Sequence, residues 1–135
     1  MHVLLINGSP HEKGCTYTAL SLVAGELNAA GITTEILNVG TKPVGGCIGC
    51  GGCAKGNGCV FGGVVNEAIE KARTADAFVF GTPVHYASAS GNMTSFMDRL
   101  AYAGGKYLAY KPAAICASAR RASWPSTRSS STCRW

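Results

Sequence analysis

The apolar and polar positions of this chain follow a pattern that predicts strands separated by helices. A continuous apolar run, typical of a parallel strand covered on both faces, occurs at 2–6, and further strands are predicted over 33–39, 76–81 and 112–118. Apolar residues at helical spacing predict helices over 16–30, 64–74 and 92–103. This order of elements predicts an α/β fold, namely a doubly wound parallel sheet with helices on both faces.

Each predicted helix has an apolar face that we expect to pack against the sheet. The expected inner residues are Leu20, Val23, Ala24 and Leu27 in the first helix, Val65, Ala68, Ile69 and Ala72 in the second, and Phe96, Met97 and Leu100 in the third.

The last part of the chain does not continue this pattern. Residues 123–135 lack apolar periodicity and offer neither a fifth strand nor a last helix. We therefore expect an incomplete domain over 1–122 and an atypical, disordered tail over 123–135. A frameshift in the gene is the preferred explanation, because a shifted reading of the serine-rich stretch gives apolar residues. A fourth strand left at the edge would lower stability or favour pairing with another chain.

Composition and charge narrow the classes of function. The length of 135 residues predicts one domain. The net charge is +5, but Arg120, Arg121, Arg128 and Arg134 lie in the last sixteen residues, so the body is nearly neutral and no nucleic-acid partner is expected. Neither an apolar run of about 20 residues nor a signal peptide is found, so we expect a cytoplasmic protein without a membrane partner. In that compartment the seven cysteines are expected to be free, metal-bound or redox-active.

Two loops follow strands and are candidates for ligand binding. The first, over 7–18, joins the first strand to the first helix, where amide groups, Ser9, Thr16 and Thr18 can hold a phosphate. An ordinary turn with a threonine N-cap is the alternative. The second, over 81–91, follows the third strand, and a flat ring could stack there beside Tyr86. The alternative is that His85 and Tyr86 only cover the end of the sheet.

A third motif is a glycine-rich loop with four cysteines, Cys47, Cys50, Cys53 and Cys59. Four thiolates at this spacing suit a soft metal or an iron–sulfur cluster. Structural zinc, an oxidisable set of thiols and a loop without any metal are the alternatives that remain open.

Two paired motifs resemble those of the NADPH-dependent FMN reductase family of flavodoxin-like proteins, and in particular its iron–sulfur flavoprotein branch. They are Gly8-Ser9-Pro10 with Gly14-Cys15-Thr16, and Thr82-Pro83-Val84-His85-Tyr86 with Phe96-Met97-Asp98-Arg99. The resemblance covers residues 1 to about 122. It implies a flavodoxin-like doubly wound sheet that here lacks the fifth strand and the last helix.

The resemblance also implies which residues bind the cofactors. The FMN phosphate would be held by Ser9, Thr16, Tyr17 and Thr18, and the isoalloxazine ring would be lined by Pro83, Val84, His85, Tyr86 and Ala87. A third flavin loop would consist of Ser118, Ala119 and Arg120. The four cysteines would hold a four-iron, four-sulfur cluster that relays electrons to or from the flavin.

The function implied is a flavin-dependent oxidoreductase that uses NAD(P)H and reduces a quinone, a flavin or a similar small acceptor. Because the cofactor carries the chemistry, no catalytic acid or base is assigned to a side chain. The alternatives are an iron–sulfur flavoprotein that carries electrons for a ferredoxin-like partner, and a thiol-redox module without flavin. The family resemblance implies a homodimer or homotetramer.

Overall fold

The computed structural model describes residues 1–119, and its elements follow the predicted order. The strands are β1 (His2–Asn7), β2 (Thr33–Asn38), β3 (Ala77–His85), β4 (Ser88–Ala89) and β5 (Ala113–Ser118). The helices are α1 (Cys15–Ala29), α2 (Val64–Thr74) and α3 (Gly91–Leu108), and Gly52–Lys55 form a short 3₁₀ turn. None of the helices described is both long and apolar enough to cross a bilayer.

Four strands form a parallel sheet in the order β2-β1-β3-β5. Because β1 pairs with β2 on one side and with β3 on the other, the winding of the chain reverses beside β1. Helix α1 packs on one face of the sheet, and α2 and α3 pack on the other. The predicted doubly wound parallel fold is therefore confirmed.

The alternation of side chains along β1 explains why its sequence is apolar without a break from Val3 to Ile6. Leu4 and Ile6 belong to the core beneath α2 and α3, whereas Val3 and Leu5 belong to the core beneath α1. Each fully buried leucine or isoleucine side chain stabilises the fold by about 2 kcal/mol relative to an exposed one. The expected inner faces of α1 and α2 are confirmed, since their residues are buried or pack against these two cores.

The expected inner face of α3 is wrong at one position. Met97 is 39% exposed, whereas Arg99 is only 7% exposed. Arg99 lies three positions after the buried Phe96 and therefore shares its face of the helix. An arginine was not expected on a buried face, and its partners are described with the candidate site.

Two element boundaries differ from the prediction by more than one residue. Helix α3 continues past 103 to Leu108, because Gly104 does not end it. A Cβ atom at Gly104 would lie 2.8 Å from Ile69 Cγ1, so this glycine allows α2 and α3 to pack closely. Strand β3 continues to His85 and turns back into β4, so the predicted loop over 81–91 is largely a hairpin.

Strand β5 lies at one side of the parallel sheet and pairs with β3 within residues 1–119. Its outer residues are solvent-exposed, and Ile115 is 73% exposed. Arg120 and the predicted tail over 123–135 lie outside the described residues, so the expected domain limits stay predictions.

Candidate functional site

The carboxyl ends of β1, β3 and β5 meet at one edge of the sheet. Asn7 at the end of β1 pairs with Gly81, and Pro83 near the end of β3 pairs with Ser118 at the end of β5. The loops that follow these strands are the three that the family resemblance assigns to the flavin. In open α/β sheets this edge, beside the strand where the winding reverses, is where ligands bind.

Asn7 fixes the first of these loops. Its side chain is fully buried, and Nδ2 donates to Asn38 Oδ1 at 2.8 Å and to the Glu12 carbonyl at 3.4 Å. Its Oδ1 accepts from the Ser9 amide at 3.1 Å, and Ser9 Oγ accepts from the His11 amide at 3.1 Å. The side chain of Asn7 therefore imposes one shape on the loop and ties it to β2.

Ser90 joins the first loop to the hairpin and to α3. Its Oγ donates to the Gly8 carbonyl at 2.9 Å and accepts from the Met93 amide at 3.3 Å, which caps α3. Its amide donates to Thr82 Oγ1 at 3.1 Å. Because Ser90 is buried and uses both its side chain and its amide, it fixes the distance between two loops of the candidate site.

The N-terminus of α1 faces this edge and has no side-chain cap. Its N-cap residue is Gly14, so the alternative of a threonine N-cap is wrong. Thr16, in the first turn, is buried, and its Oγ1 lies 2.7 Å from Ser118 Oγ. Tyr17 is half-buried, and the exposed Thr18 donates its hydroxyl to the Gly14 carbonyl at 3.3 Å. The structure therefore brings Ser9, Thr16 and Ser118 to one edge.

Gly40, just after β2, allows the loop after β2 to pass close to the loop after β1. A Cβ atom at this position would lie 2.3 Å from the Ser9 carbonyl oxygen and 2.5 Å from the Gly8 carbonyl oxygen. Asn92 in α3 holds the same segment, because its Nδ2 donates to the Gly40 carbonyl at 3.1 Å. Only a residue without a side chain fits this contact between two backbones.

The hairpin between β3 and β4 carries most of the residues expected to line the flavin ring. Pro83 is half-buried, whereas Val84, His85, Tyr86 and Ala87 are exposed. Tyr86 and Ala87 form a two-residue turn with φ angles of 47° and 66°, a left-handed conformation that favours glycine. This turn is therefore strained, and strained turns often occur at binding sites. Ala119 is exposed beyond β5, and Arg120 lies outside the described residues.

We expect Ala87→Gly to raise the free energy of unfolding by about 1 kcal/mol, because glycine adopts a positive φ without steric cost. Urea unfolding of the two proteins measures the difference. Ala89→Gly, two positions further along in β4, is the matched control, and we expect it to lower stability because that residue has no positive φ. Equal effects of the two substitutions would contradict the strain at Ala87.

The four cysteines of the glycine-rich loop line one concave pocket of about 150 Å³ against α3. Cys47 and Cys50 are exposed, Cys53 and Cys59 are half-buried, and all four are free thiols. In the part of the chain that the structure describes, no three side chains of the ligand types converge closely enough to hold a metal ion. The thiols thus share a pocket without meeting at one point. Cys116 in β5 is half-buried, and its burial raises the pKa of the thiol.

Arg99 in α3 lines this pocket and binds the loop that carries the cysteines. Its Nε donates to Cys59 Sγ at 3.2 Å, Nη2 donates to the Gly62 carbonyl at 3.0 Å, and Nη1 donates to the Gly45 carbonyl at 3.4 Å. Asn66 in α2 holds the backbone of Cys59, because Oδ1 accepts from its amide at 2.8 Å and Nδ2 donates to its carbonyl at 3.0 Å. Two helices therefore fix the last cysteine of the motif.

Sequence reasoning assigned no role to five residues that shape these two sites. Asn7, Ser90, Asn92, Asn66 and Arg99 act through hydrogen bonds across the fold. Two of them carry a local signal, because Asn7 directly ends an apolar strand and Ser90 directly precedes a helix, as an N-cap does. The others have partners that depend on how α2 and α3 pack.

Comparison with known proteins finds relatives that are named iron–sulfur flavoproteins. The chain is 31% identical over 99 residues to an iron–sulfur flavoprotein of Methanocaldococcus jannaschii and 33% identical over 99 residues to one of Archaeoglobus fulgidus. Each alignment covers 73% of this chain. It covers 51% and 48% of those relatives, so the chain spans about half their length.

Solved structures agree on the fold. An NAD(P)H:quinone oxidoreductase from Methanothermobacter marburgensis superposes with a TM-score of 0.68 at 21% identity, over 91% of this chain and 67% of that one. This similarity shows the flavodoxin-like α/β fold. The family model for NADPH-dependent FMN reductase matches residues 1–127. The chain therefore belongs to the NADPH-dependent FMN reductase family.

Proposed function

We propose that this protein is an FMN-dependent oxidoreductase that takes electrons from NAD(P)H and passes them to a small acceptor. The observation that carries the proposal is the meeting of three loops at the carboxyl edge of the sheet, marked by the 2.7 Å contact between Thr16 Oγ1 and Ser118 Oγ. These two residues come from elements far apart in sequence. Membership of the FMN reductase family supports the same assignment.

The groups at this edge suit the phosphate of FMN. The amides in the first turn of α1 have no side-chain cap, and the helix dipole favours an anion there. The hydroxyls of Ser9, Thr16 and Ser118 add donors from three segments. Tyr17 and Thr18 follow in the same turn. The chemistry of this donor set fits a phosphate ester better than a neutral ligand.

The hairpin is suited to the flat end of the cofactor. Val84, His85, Tyr86 and Ala87 are exposed and Pro83 is half-buried, and Ser90 ties the hairpin to the loop after β1. When bound, FMN supplies the redox chemistry, since it accepts a hydride from NAD(P)H and delivers electrons to the acceptor. The protein binds and orients the ring and supplies polar backbone groups at its edge, without a catalytic acid or base.

The acceptor class and the assembly belong to this proposal. A quinone, a flavin or a similar planar molecule would stack on a ring left open by the exposed hairpin. The oxidoreductase from M. marburgensis, which shares the fold, is named for a quinone. We further propose that the protein is a homodimer or homotetramer, because the exposed apolar side of β5, with Ile115, suits pairing with a second copy. A cytoplasmic location is part of the same proposal.

The proposal predicts that Thr16→Val weakens FMN binding about tenfold, because a hydrogen bond to a charged phosphate contributes about 1.5 kcal/mol or more. Fluorescence titration of the apoprotein with FMN measures the dissociation constant. Thr34→Val is the matched control, since Thr34 is paired with Val3 near the opposite edge of the sheet. Equal affinity of both variants and the wild type would contradict the assignment of Thr16.

A second function is favoured by the cysteine pocket. Four soft thiol donors line one pocket and suit a four-iron, four-sulfur cluster, and the relatives from M. jannaschii and A. fulgidus are named iron–sulfur flavoproteins. The protein would then carry electrons for a ferredoxin-like partner. Exposed apolar residues at the rim of the pocket, among them Ile48 and Phe61, offer a surface for such a contact.

One measurement separates these functions. An absorption spectrum of protein purified without oxygen, with iron and sulfide assayed on the same sample, shows flavin alone for a plain reductase. Flavin with stoichiometric iron and sulfide shows a cluster and favours the electron carrier. A colourless protein that does not take up FMN contradicts both functions and leaves a thiol-redox module.

A further inference from the structure

We propose that Arg99 is the positioning residue of the cysteine pocket: it binds both ends of the cysteine loop and Cys59 Sγ, and it places a buried positive charge beside the four sulfurs. The inference rests on the second proposed function, because that charge acts on a bound cluster. The positional role itself concerns the loop and can be measured without metal.

The first argument is the geometry of the loop. Arg99 donates to the Gly45 carbonyl, two residues before the first cysteine, and to the Gly62 carbonyl, three residues after the last. One planar guanidinium thus closes a loop that has little regular structure of its own, a single 3₁₀ turn at Gly52–Lys55. Since a guanidinium has several donors in a fixed plane, one arginine can hold three acceptors that a lysine could not hold together.

The second argument is the asymmetry among the cysteines. Cys59 is bound at its sulfur by Arg99 and at its backbone by Asn66, whereas the structure gives Cys47, Cys50 and Cys53 no comparable support within the described residues. Gly58, with φ of 80°, completes this support, because a Cβ atom there would lie 2.9 Å from Asn66 Oδ1. Cys59 is therefore a fixed point to which the other three thiols can be drawn.

The third argument is the charge of Arg99. Its side chain is 7% exposed, and among residues 1–119 no carboxylate forms an ion pair with it. Its acceptors are two carbonyls and one sulfur, and its guanidinium carbon lies 5.4 Å from the centre of the Phe61 ring. Burying a cation without an anionic partner is costly, so the site is suited to a ligand of net negative charge. A cluster held by four thiolates carries such a charge.

A fixed positive charge beside a cluster also affects its reduction. Reduction adds an electron and increases the negative charge, which a nearby guanidinium stabilises. Arg99 is therefore expected to raise the midpoint potential of the cluster, and its removal is expected to shift the potential to a more negative value.

The experiment compares Arg99→Gln and Arg99→Lys with the wild type. Hydrogen exchange of the reduced, metal-free proteins is followed over 45–62, and the same proteins are then reconstituted without oxygen with iron and sulfide. Arg73→Gln is the matched control, because Arg73 lies in α2, pairs with Glu70 and stacks on Tyr107, away from the loop.

We expect Arg99→Gln to exchange about tenfold faster over 45–62, which corresponds to a loss of ~1.4 kcal/mol of local stability. We expect Arg99→Lys to exchange at an intermediate rate and Arg73→Gln to resemble the wild type.

In the reconstituted proteins, Arg99→Gln should bind less iron and show a more negative midpoint potential than the wild type. Arg99→Lys keeps the positive charge, so its midpoint potential should stay closer to the wild-type value than its rate of hydrogen exchange over 45–62 does. If Arg99→Gln does not fold, the exchange of Arg99→Lys decides the positional role. Unchanged exchange over 45–62 in either folded variant would overturn the proposal. A wild type that takes up no iron contradicts the cluster and overturns the effect on its potential, while the exchange result still decides the position of the loop.

Discussion

Replacing Gly40 by alanine is expected to lower the free energy of unfolding by about 3 kcal/mol and to weaken the binding of FMN at the same time. The added methyl group would lie 2.3 Å from the Ser9 carbonyl oxygen and 2.5 Å from the Gly8 carbonyl oxygen. Both atoms belong to backbone that Asn7 and Ser90 hold in place, so neither can move without loss of other hydrogen bonds. Urea unfolding and an FMN titration measure the two effects.

Gly45→Ala is the matched control for this substitution. Gly45 has a negative φ, and a Cβ atom there would meet no other atom within 4 Å. We expect Gly45→Ala to leave stability unchanged or to raise it by about 0.5 kcal/mol, because alanine restricts the unfolded chain. If Gly40→Ala behaved like Gly45→Ala, the contact between the loops after β1 and β2 would not be tight.

Ser90→Ala is expected to have the next largest effect, a loss of about 3 kcal/mol in the free energy of unfolding. The loss has two sources, since removal of an N-cap costs about 1 kcal/mol and an unsatisfied buried carbonyl costs about 2 kcal/mol. Ser90 Oγ caps α3 through the Met93 amide and satisfies the Gly8 carbonyl. On the proposed function, Gly8 belongs to the first of the loops that hold FMN, so FMN affinity should fall as well.

The control for Ser90→Ala is Ser88→Ala, which changes an exposed serine in the same hairpin. We expect this control to change stability by less than about 0.5 kcal/mol. Thermal unfolding with and without FMN separates the cap from the loop, since loss of the cap alone lowers the melting temperature without reducing the shift that FMN causes. A full FMN-induced shift in Ser90→Ala would contradict the link between Ser90 and the flavin loop.

The parallel sheet could be predicted from the sequence because its signals are local. The residues of β1 from Val3 to Ile6 are all apolar, which is typical of a strand covered on both faces, and α2 begins and ends at the predicted residues. The hairpin at Tyr86 and Ala87 could not be predicted in this way. Neither residue favours a positive φ, so the turn is imposed by the pairing of His85 with Ser88 and not by local preference.

The candidate sites were predicted in part for a similar reason. Ser9 and Thr16 lie in the segment that follows β1, and the end of a parallel strand identifies them. Ser118, the last residue of β5, was assigned only through the family resemblance. Arg99 was missed as a site residue because a charged side chain inside a helix is usually exposed. Its role depends on the position of Cys59, 40 residues earlier in the chain. No local sequence pattern encodes a contact over that separation.

The contact between Thr16 and Ser118 also bears on how this protein would be made in the cell. The two residues are separated by 102 positions, so a ribosome must release nearly the whole described chain before both sides of the proposed flavin cradle exist. The first strand–helix–strand unit can form early, but it presents only the half of the cradle that precedes β3. On the proposed function, FMN therefore stabilises finished chains and not nascent ones. A cell short of riboflavin would accumulate polypeptides that complete the sheet but lack the cofactor that favours their folded state.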